Sequence, residues 1–237
     1  MNMILLEPAD FISEDVVHLS DRRLEHIRNI HRARVGTELR VGLLHGNMGV
    51  GLITKLDAQS VEIKVVLNQS PPQEVPITLL LALPRPKMLK RVLQSVTTLG
   101  VKQIYLINSH RVEKSFWSSP LLQSEELQKQ LFLGLEQAQD TCLPQVHLRK
   151  LFKPFVEDEL PLLIKGSQAL VAHPLGDREN LFVSGQATTL AVGPEGGFIP
   201  YEVDKLIQCG FSSFSLGERI LRVETAVPVL LSKLISL

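Results

Sequence analysis

The chain has 237 residues, 44% of them hydrophobic and 21% charged, with 25 basic residues balanced by 25 acidic ones. That balance excludes disordered, collagenous and coiled-coil proteins and a polycation that coats nucleic acid indiscriminately, and the length suits an ordinary domain with a small companion. No apolar run approaches the roughly 20 residues of a membrane span, the first eight residues lack the basic flank of a signal peptide, and Cys142 and Cys209, with no Cys or His at ligand spacing, read as buried thiols. A cytoplasmic protein with neither membrane nor metal is expected.

In chain order, a short helix is predicted over Ser20–Ile30, with Ser20 as N-cap and Leu24, Ile27 and Ile30 on its inner side. Strands follow at Leu39–Leu44, Val50–Thr54 and Val61–Leu67, separated by polar turns, which reads as a small barrel or sandwich. The tract Asn68–Gln73 contains Pro71 and Pro72 and breaks every periodicity, so it is the expected boundary: one unit over 1–70 and another over 76–237. Beyond it come a continuous apolar strand at Ile77–Leu83, a helix at Lys87–Leu99 closed by Gly100, a strand at Gln103–Ile107 and a helix at Ser124–Asp140 burying Leu127, Leu131, Leu135 and Ala138. Strands at Ala169–Ala172 and Thr188–Val192 complete an α/β domain with a largely parallel sheet.

Local charge is uneven although the total is zero. Between Arg22 and Arg40, six arginines face only Glu25 and Glu38; between Arg85 and Lys114, seven basic residues face only Glu113. Such clusters serve either as solvated faces or as phosphate contacts, and arginine in the first cluster favours the fork-like recognition of phosphate oxygens.

Open parallel sheets bind ligands beyond the carboxyl ends of their strands, and three segments lie there. Gly193-Pro194-Glu195-Gly196-Gly197 follows a strand directly, and its glycines let backbone approach a ligand closely or merely form a tight turn. Ser215–Thr225 alternates charged and apolar residues, so that Leu216, Ile220 and Leu221 could meet a flat apolar ligand while Arg219, Arg222 and Glu224 point elsewhere. In the bland alternative it is a loop before a helix capped by Thr225 with Pro228 in its first turn. Ala172-His173-Pro174 ends another strand, where a histidine is either structural or catalytic. A Gly-x-Gly-x-x-Gly loop, a Walker A lysine loop and a Gly-x-Ser-x-Gly elbow are all missing, and His26 and His31 have the wrong spacing for one helical face.

The pair Gly193–Phe198 and Leu216–Ala226 closely resembles two signature segments of the RsmE-type 16S ribosomal RNA (uracil-N3)-methyltransferases, of the SPOUT superfamily. His26, Arg32, Gly36 and Gly46 match that family's PUA-like N-terminal domain, and Lys87-Met88 with Leu99-Gly100-Val101 match the opening of its catalytic domain. The resemblance implies a PUA-like RNA-binding unit over 1–70 and, over 76–237, a SPOUT domain with a trefoil knot, one of the rare exceptions to unknotted chains. It implies S-adenosylmethionine held by His173, Pro174, Gly193, Pro194, Glu195, Gly196, Gly197, Leu216, Gly217, Ile220 and Leu221, and a homodimer in which the helix Thr225–Leu237 takes part. The implied partner is 16S rRNA within the small ribosomal subunit, and the implied reaction is methylation of uridine N3. Arg222 would stabilise charge on the uracil oxygens, with Glu224 or Glu195 fixing Arg222 or taking the proton. Unstacking the target base costs a few kcal/mol, to be offset by phosphate contacts from Arg22, Arg23, Arg28, Arg32, Arg34, Arg85, Lys87 and Arg91. Two departures stand out: Glu136-Gln137 lacks the arginine that usually follows, and His31 replaces an aliphatic residue. The competing readings are an inactive rRNA-binding assembly protein and the same fold acting elsewhere on RNA, for instance on a ribose 2′-hydroxyl.

Overall fold

The computed structural model describes residues 2–177 and 185–235 and divides into two compact units. The first comprises Met1–Gln73 and Phe132–Leu143; the second comprises Glu74–Leu131 and Pro144–Leu237.

In the first unit, β1 (Ile4–Leu6), β2 (Val16–Leu19), β3 (Glu38–Leu43), β4 (Met48–Leu56) and β5 (Val61–Gln69) form a mixed half-barrel sheet in the order β1-β3-β4-β5-β2. Alternate side chains of these strands, among them Ile4, Leu6, Val41, Ile53, Ile63 and Val65, turn into one core with Leu24 and Ile27. The intervening Leu5, with Met3, packs instead on Leu135, Phe132 and Leu143, so β1 is buried on both faces. The short helix α1 (Arg22–Glu25) departs from expectation. Its N-cap is Asp21, whose carboxylate accepts the Arg23 amide at 2.9 Å, and from His26 to Ile30 the winding widens into a π-turn. The extra residue in that turn rotates the face, leaving Ile30 70% exposed rather than inward.

In the second unit, β6 (Val75–Ala82), α2 (Pro86–Thr98), β7 (Val101–Ile107), the start of α3 (Ser124–Ala138), whose residues from Phe132 on belong to the first unit, and β8 (Gln145–Arg149) come first. Two short helical pieces, α4 (Phe152–Pro154) and α5 (Leu160–Leu163), flank a π-turn and lead to β9 (Gln168–Asp177), β10 (Thr188–Val192), α6 (Pro200–Gln208), β11 (Ser212–Phe214) and α7 (Val223–Leu234). The six strands form one sheet, β11-β9-β10-β6-β7-β8, in which each pair is parallel. Burial of every residue of β10 follows from helices covering both faces. The α/β class with a small β unit ahead of it agrees with what the residues and the resemblance imply.

Two helix ends differ from their expected positions. α3 stops at Ala138 rather than Asp140 because Gln139 turns left-handed, at φ 55°, and the Asp140 amide closes back on the Leu135 carbonyl at 3.1 Å. α7 starts at Val223, since the Arg222 carbonyl already accepts the amides of Thr225 and Ala226; Arg222 rather than Thr225 is the N-cap, and Pro228 lies inside the helix. Both cysteines are half-buried rather than enclosed. Among the described residues, no helix is long and apolar enough to cross a membrane, and no group of three potential metal ligands occurs.

Candidate active site

The three segments singled out in the sequence meet in one cavity of about 250 Å³ at the carboxyl ends of β10 and β11 and beside β9, which does not end at Pro174 as expected but continues to Asp177 past its pairing with β10. His173 and Pro174 come from β9, the run from Val192 to Gly197 from the exit of β10, and Ser215–Gly217 with Arg219, Ile220 and Leu221 from the exit of β11. Phe214 and the inner face of α7, through Val223, Ala226 and Leu230, supply an apolar floor that sequence reasoning missed. Those residues carry no local signal beyond ordinary helix periodicity.

Backbone rather than side chains dominates the β10 exit. A Cβ on Gly193 would lie 2.8 Å from the Phe198 amide nitrogen, so glycine is required there for the loop to close on itself. Gly217 adopts φ 121°, a left-handed conformation that favours glycine, and its amide donates to the Ser215 hydroxyl at 3.2 Å while its carbonyl accepts from the same hydroxyl. Three ties hold the loop. The Arg85 amide donates to Glu195 Oε1 at 3.0 Å, the Arg111 guanidinium donates to the Gly196 carbonyl, and Glu202, only 3% exposed, accepts the Ile199 amide at 3.0 Å. The other Glu202 oxygen accepts the His110 amide at 2.7 Å, which joins the loop after β7 to the loop after β10. Glu202 did not stand out in the sequence, and Arg111 did so only as one of the seven basic residues between Arg85 and Lys114.

His173 lines the cavity with its Nδ1 accepting the Leu175 amide at 3.3 Å, and burial holds its pKa below the ordinary 6.5. The imidazole is therefore neutral near pH 7. Glu195 lies on the cavity wall, as does Arg219, which the sequence reading pointed elsewhere. Arg222 and Glu224 do not line the cavity; they flank Val223, which does, and no ion pair joins Arg222 to Glu195 or Glu224 among the described residues.

The basic residues separate into distinct roles. Arg23 is 7% exposed, with its guanidinium bonded to Asp10, Asp21 and the Leu5 carbonyl, so it is a structural cation of the first unit, not an RNA contact. Burial opposes ionisation of Asp21, but the Arg23 hydrogen bonds outweigh it and hold that carboxyl below its ordinary range. Arg22 forms a two-pronged pair with the buried Glu136 at 2.8 and 3.0 Å, and Arg40 donates to Gln139. Thus the helix segment that lacks the family's arginine is met by arginines from the first unit. Arg28, Arg32 and Arg34 are exposed there, as are Arg85, Lys87 and Arg91 in the second unit. His31, the other departure, packs edge-on against His26 at 4.7 Å with its Nε2 buried and unpartnered.

Comparisons with known proteins bear on this geometry. The chain is 28% identical over 237 residues to the ribosomal RNA small subunit methyltransferase E of Treponema pallidum, covering 95% of this chain and 87% of that protein. It is 29% identical to the Synechocystis protein of the same name, covering 97% and 76%. A crystal structure of the Neisseria gonorrhoeae methyltransferase E bound to S-adenosylmethionine superposes with a TM-score of 0.76 at 21% identity over 98% of this chain and 95% of that one. A Legionella pneumophila protein solved with the same cofactor gives 0.77 at 23% over 98% and 96%. These two establish a shared fold. Residues 71–235, most of the second unit and more than two thirds of the chain, match the family model of the RNA methyltransferase domain, and the chain belongs to that family.

Proposed function

We propose that the protein transfers a methyl group from S-adenosylmethionine to N3 of a uridine in 16S rRNA of the small ribosomal subunit. The observation that carries this reading is the convergence of His173–Pro174, Gly193–Gly197 and Leu216–Leu221 on one glycine-lined, largely apolar cavity. The residues fit such a donor. An adenine ring needs a flat apolar slot edged by main-chain donors and acceptors, the cavity at about 250 Å³ falls just below the usual span of such pockets, and Gly193 lets the loop that lines it close where a Cβ would meet the Phe198 amide. Leu216, Ile220 and Leu221 supply the apolar wall, while Pro174, Pro194, Glu195, Gly196, Gly197 and Gly217 complete the lining.

When bound, the donor supplies an electrophilic methyl group on a sulfonium. Uracil N3 must lose its proton as the new N–C bond forms and the S–C bond breaks. We assign that proton to Glu195 or Glu224 and charge stabilisation on the uracil oxygens to Arg222, beside the cavity wall at the start of α7. The exposed Arg22, Arg28, Arg32 and Arg34 of the first unit, here a PUA-like RNA-binding domain over 1–70, and Arg85, Lys87 and Arg91 of the catalytic domain over 76–237 hold phosphates. A homodimer is supported by exposed aliphatic side chains: Leu175, just past His173 and Pro174 on β9, is 90% exposed, and Ile220, on the cavity wall, is 87% exposed. Return of β11 to the outer side of β9 supports a threaded, knotted C-terminal segment. A cytoplasmic location goes with rRNA as the substrate and belongs to the same proposal.

Calorimetric titration with S-adenosylmethionine should show one site per chain, and mass spectrometry of 16S rRNA from a deletion strain should show loss of one N3-methyluridine. Arg222→Ala should abolish transfer with donor affinity kept within a few fold. A chain that binds no donor returns the reading to an inactive rRNA-binding protein, and a lost 2′-O-methyl mark moves the chemistry to ribose.

A further inference from the structure

The sheet edge that carries the cavity also carries a basic, aromatic surface that the proposed chemistry does not use. Because the strands are parallel, β7 and β8 end on the same side as β9, β10 and β11. Past those ends, residues 108–118 and 149–154 expose Arg111, Lys114, Lys150 and Lys153 against one exposed acid, Glu113. Arg149 is already paired with Glu159 at 2.7 Å. Among these cations sits Trp117, the one tryptophan of the chain. Its Nε1 donates to Asn108 Oδ1 at 2.9 Å, which fixes the plane of the half-buried ring, and Lys150 Nζ lies 6.0 Å from the ring centroid. Lys150, which covers that ring face, is itself exposed, so the cover is a flexible side chain rather than packed core. Arg111 joins this surface to the cavity through its bond to the Gly196 carbonyl.

We infer that this surface holds the single-stranded RNA flanking the modified base, with one base stacked on Trp117 and neighbouring phosphates at Arg111, Lys114, Lys150 and Lys153. An oriented, half-exposed indole whose face is covered by a displaceable lysine, with further exposed cations nearby, is the pairing of stacking platform and phosphate contacts that single strands use. A duplex keeps its base faces stacked internally and could not use the ring. A protein partner would want an apolar patch, whereas Leu151 is the one large aliphatic side chain exposed within these segments. The inference rests on reading the substrate as RNA and extends its contact surface beyond Arg85, Lys87 and Arg91.

The single tryptophan makes the test direct, because emission of the full-length chain reports this surface alone. Titration with a mixed-sequence single-stranded RNA of about 12 nucleotides should quench that emission, and a duplex of equal length should do so far less. With labelled RNA, Trp117→Ala should weaken binding about tenfold or more. The surface variant Lys150→Ala/Lys153→Ala should lower the slope of log K against log salt by about 1.4, at about 0.7 per lost phosphate contact. Unchanged emission at saturating RNA, or an unchanged salt slope in the double variant, overturns the proposal. Intact RNA affinity combined with lost binding to small-subunit particles overturns it too, in favour of a protein partner. Calorimetry with S-adenosylmethionine on the same proteins keeps the two readings separate: absent donor binding sinks the cavity assignment, while the emission result still decides this one.

Discussion

Both carboxylate oxygens of Glu202 accept backbone amides, from His110 and Ile199, at a position shut off from solvent. A buried acceptor removed from two donors leaves each unsatisfied, at about 1–3 kcal/mol apiece. Glu202→Ala should therefore lower unfolding free energy by about 3 kcal/mol in urea titration, and it should weaken donor binding because the Gly193–Phe198 loop loses an anchor. Glu202→Gln, which keeps one acceptor, should recover part of both. Equal stability in the alanine variant would mean that the loops are held without it. Sequence reasoning passed over this residue, and over the helix α6 that carries it, for a physical reason: a lone acid between glycine-rich segments has no local mark, and its decisive partner is 92 positions away. Arg23 misled in the opposite direction, since an arginine inside a basic run looks like a surface cation until Asp10 and Asp21 are brought onto it.

Elements with a strong internal rhythm were legible and those defined by distant partners were not. β10 reads from Thr188 to Val192 because five apolar or β-branched residues stand before a glycine turn, and α2 reads because Leu89, Val92 and Val96 repeat at helical spacing ahead of Gly100 at φ 84°. β1 escaped because it has three residues and no alternation, its two faces being buried by different parts of the first unit. β8 escaped because none of its residues is fully buried. The cavity itself was legible as three segments, since glycines and strand exits mark them, but the α7 floor was not. Gly193→Ala tests the element where legibility was best. Its new methyl group would press on the backbone amide of Phe198 at 2.8 Å, which moves only with the whole loop. Donor affinity by calorimetry should fall at least tenfold while most of the fold persists by circular dichroism; full affinity would show that the loop tolerates displacement.

At the scale of the molecule, the boundary near Asn68–Gln73 was visible as a loss of periodicity, whereas the assignment of Phe132–Leu143 to the first unit was not, because a helix pattern says nothing about which core its far end joins. Long-range burial of another kind sets the response to acid. His31, His147 and His173 are all half-buried, and burial is the leading cause that lowers each pKa below the ordinary 6.5, aided at His31 by His26 and at His147 by Arg149. A histidine with a lowered pKa in the folded state binds its proton more readily when unfolded. Unfolding then takes up protons, so stability is complete above the unfolded value and declines as pH falls through 6.5 toward the lower folded values. Asp21, also lowered, adds nothing in that window, because its contribution is lost only as pH falls past 3.8. The urea midpoint should accordingly stay level between about pH 8 and pH 7 and drop modestly toward about pH 5.5, the remaining exposure of all three rings screening the effect. His147→Gln removes one titrating ring that stacks on Tyr105 at 4.5 Å and lies outside the cavity. It should lower the midpoint at neutral pH and flatten its fall in acid, and an undiminished acid slope in that variant would assign the response to other groups.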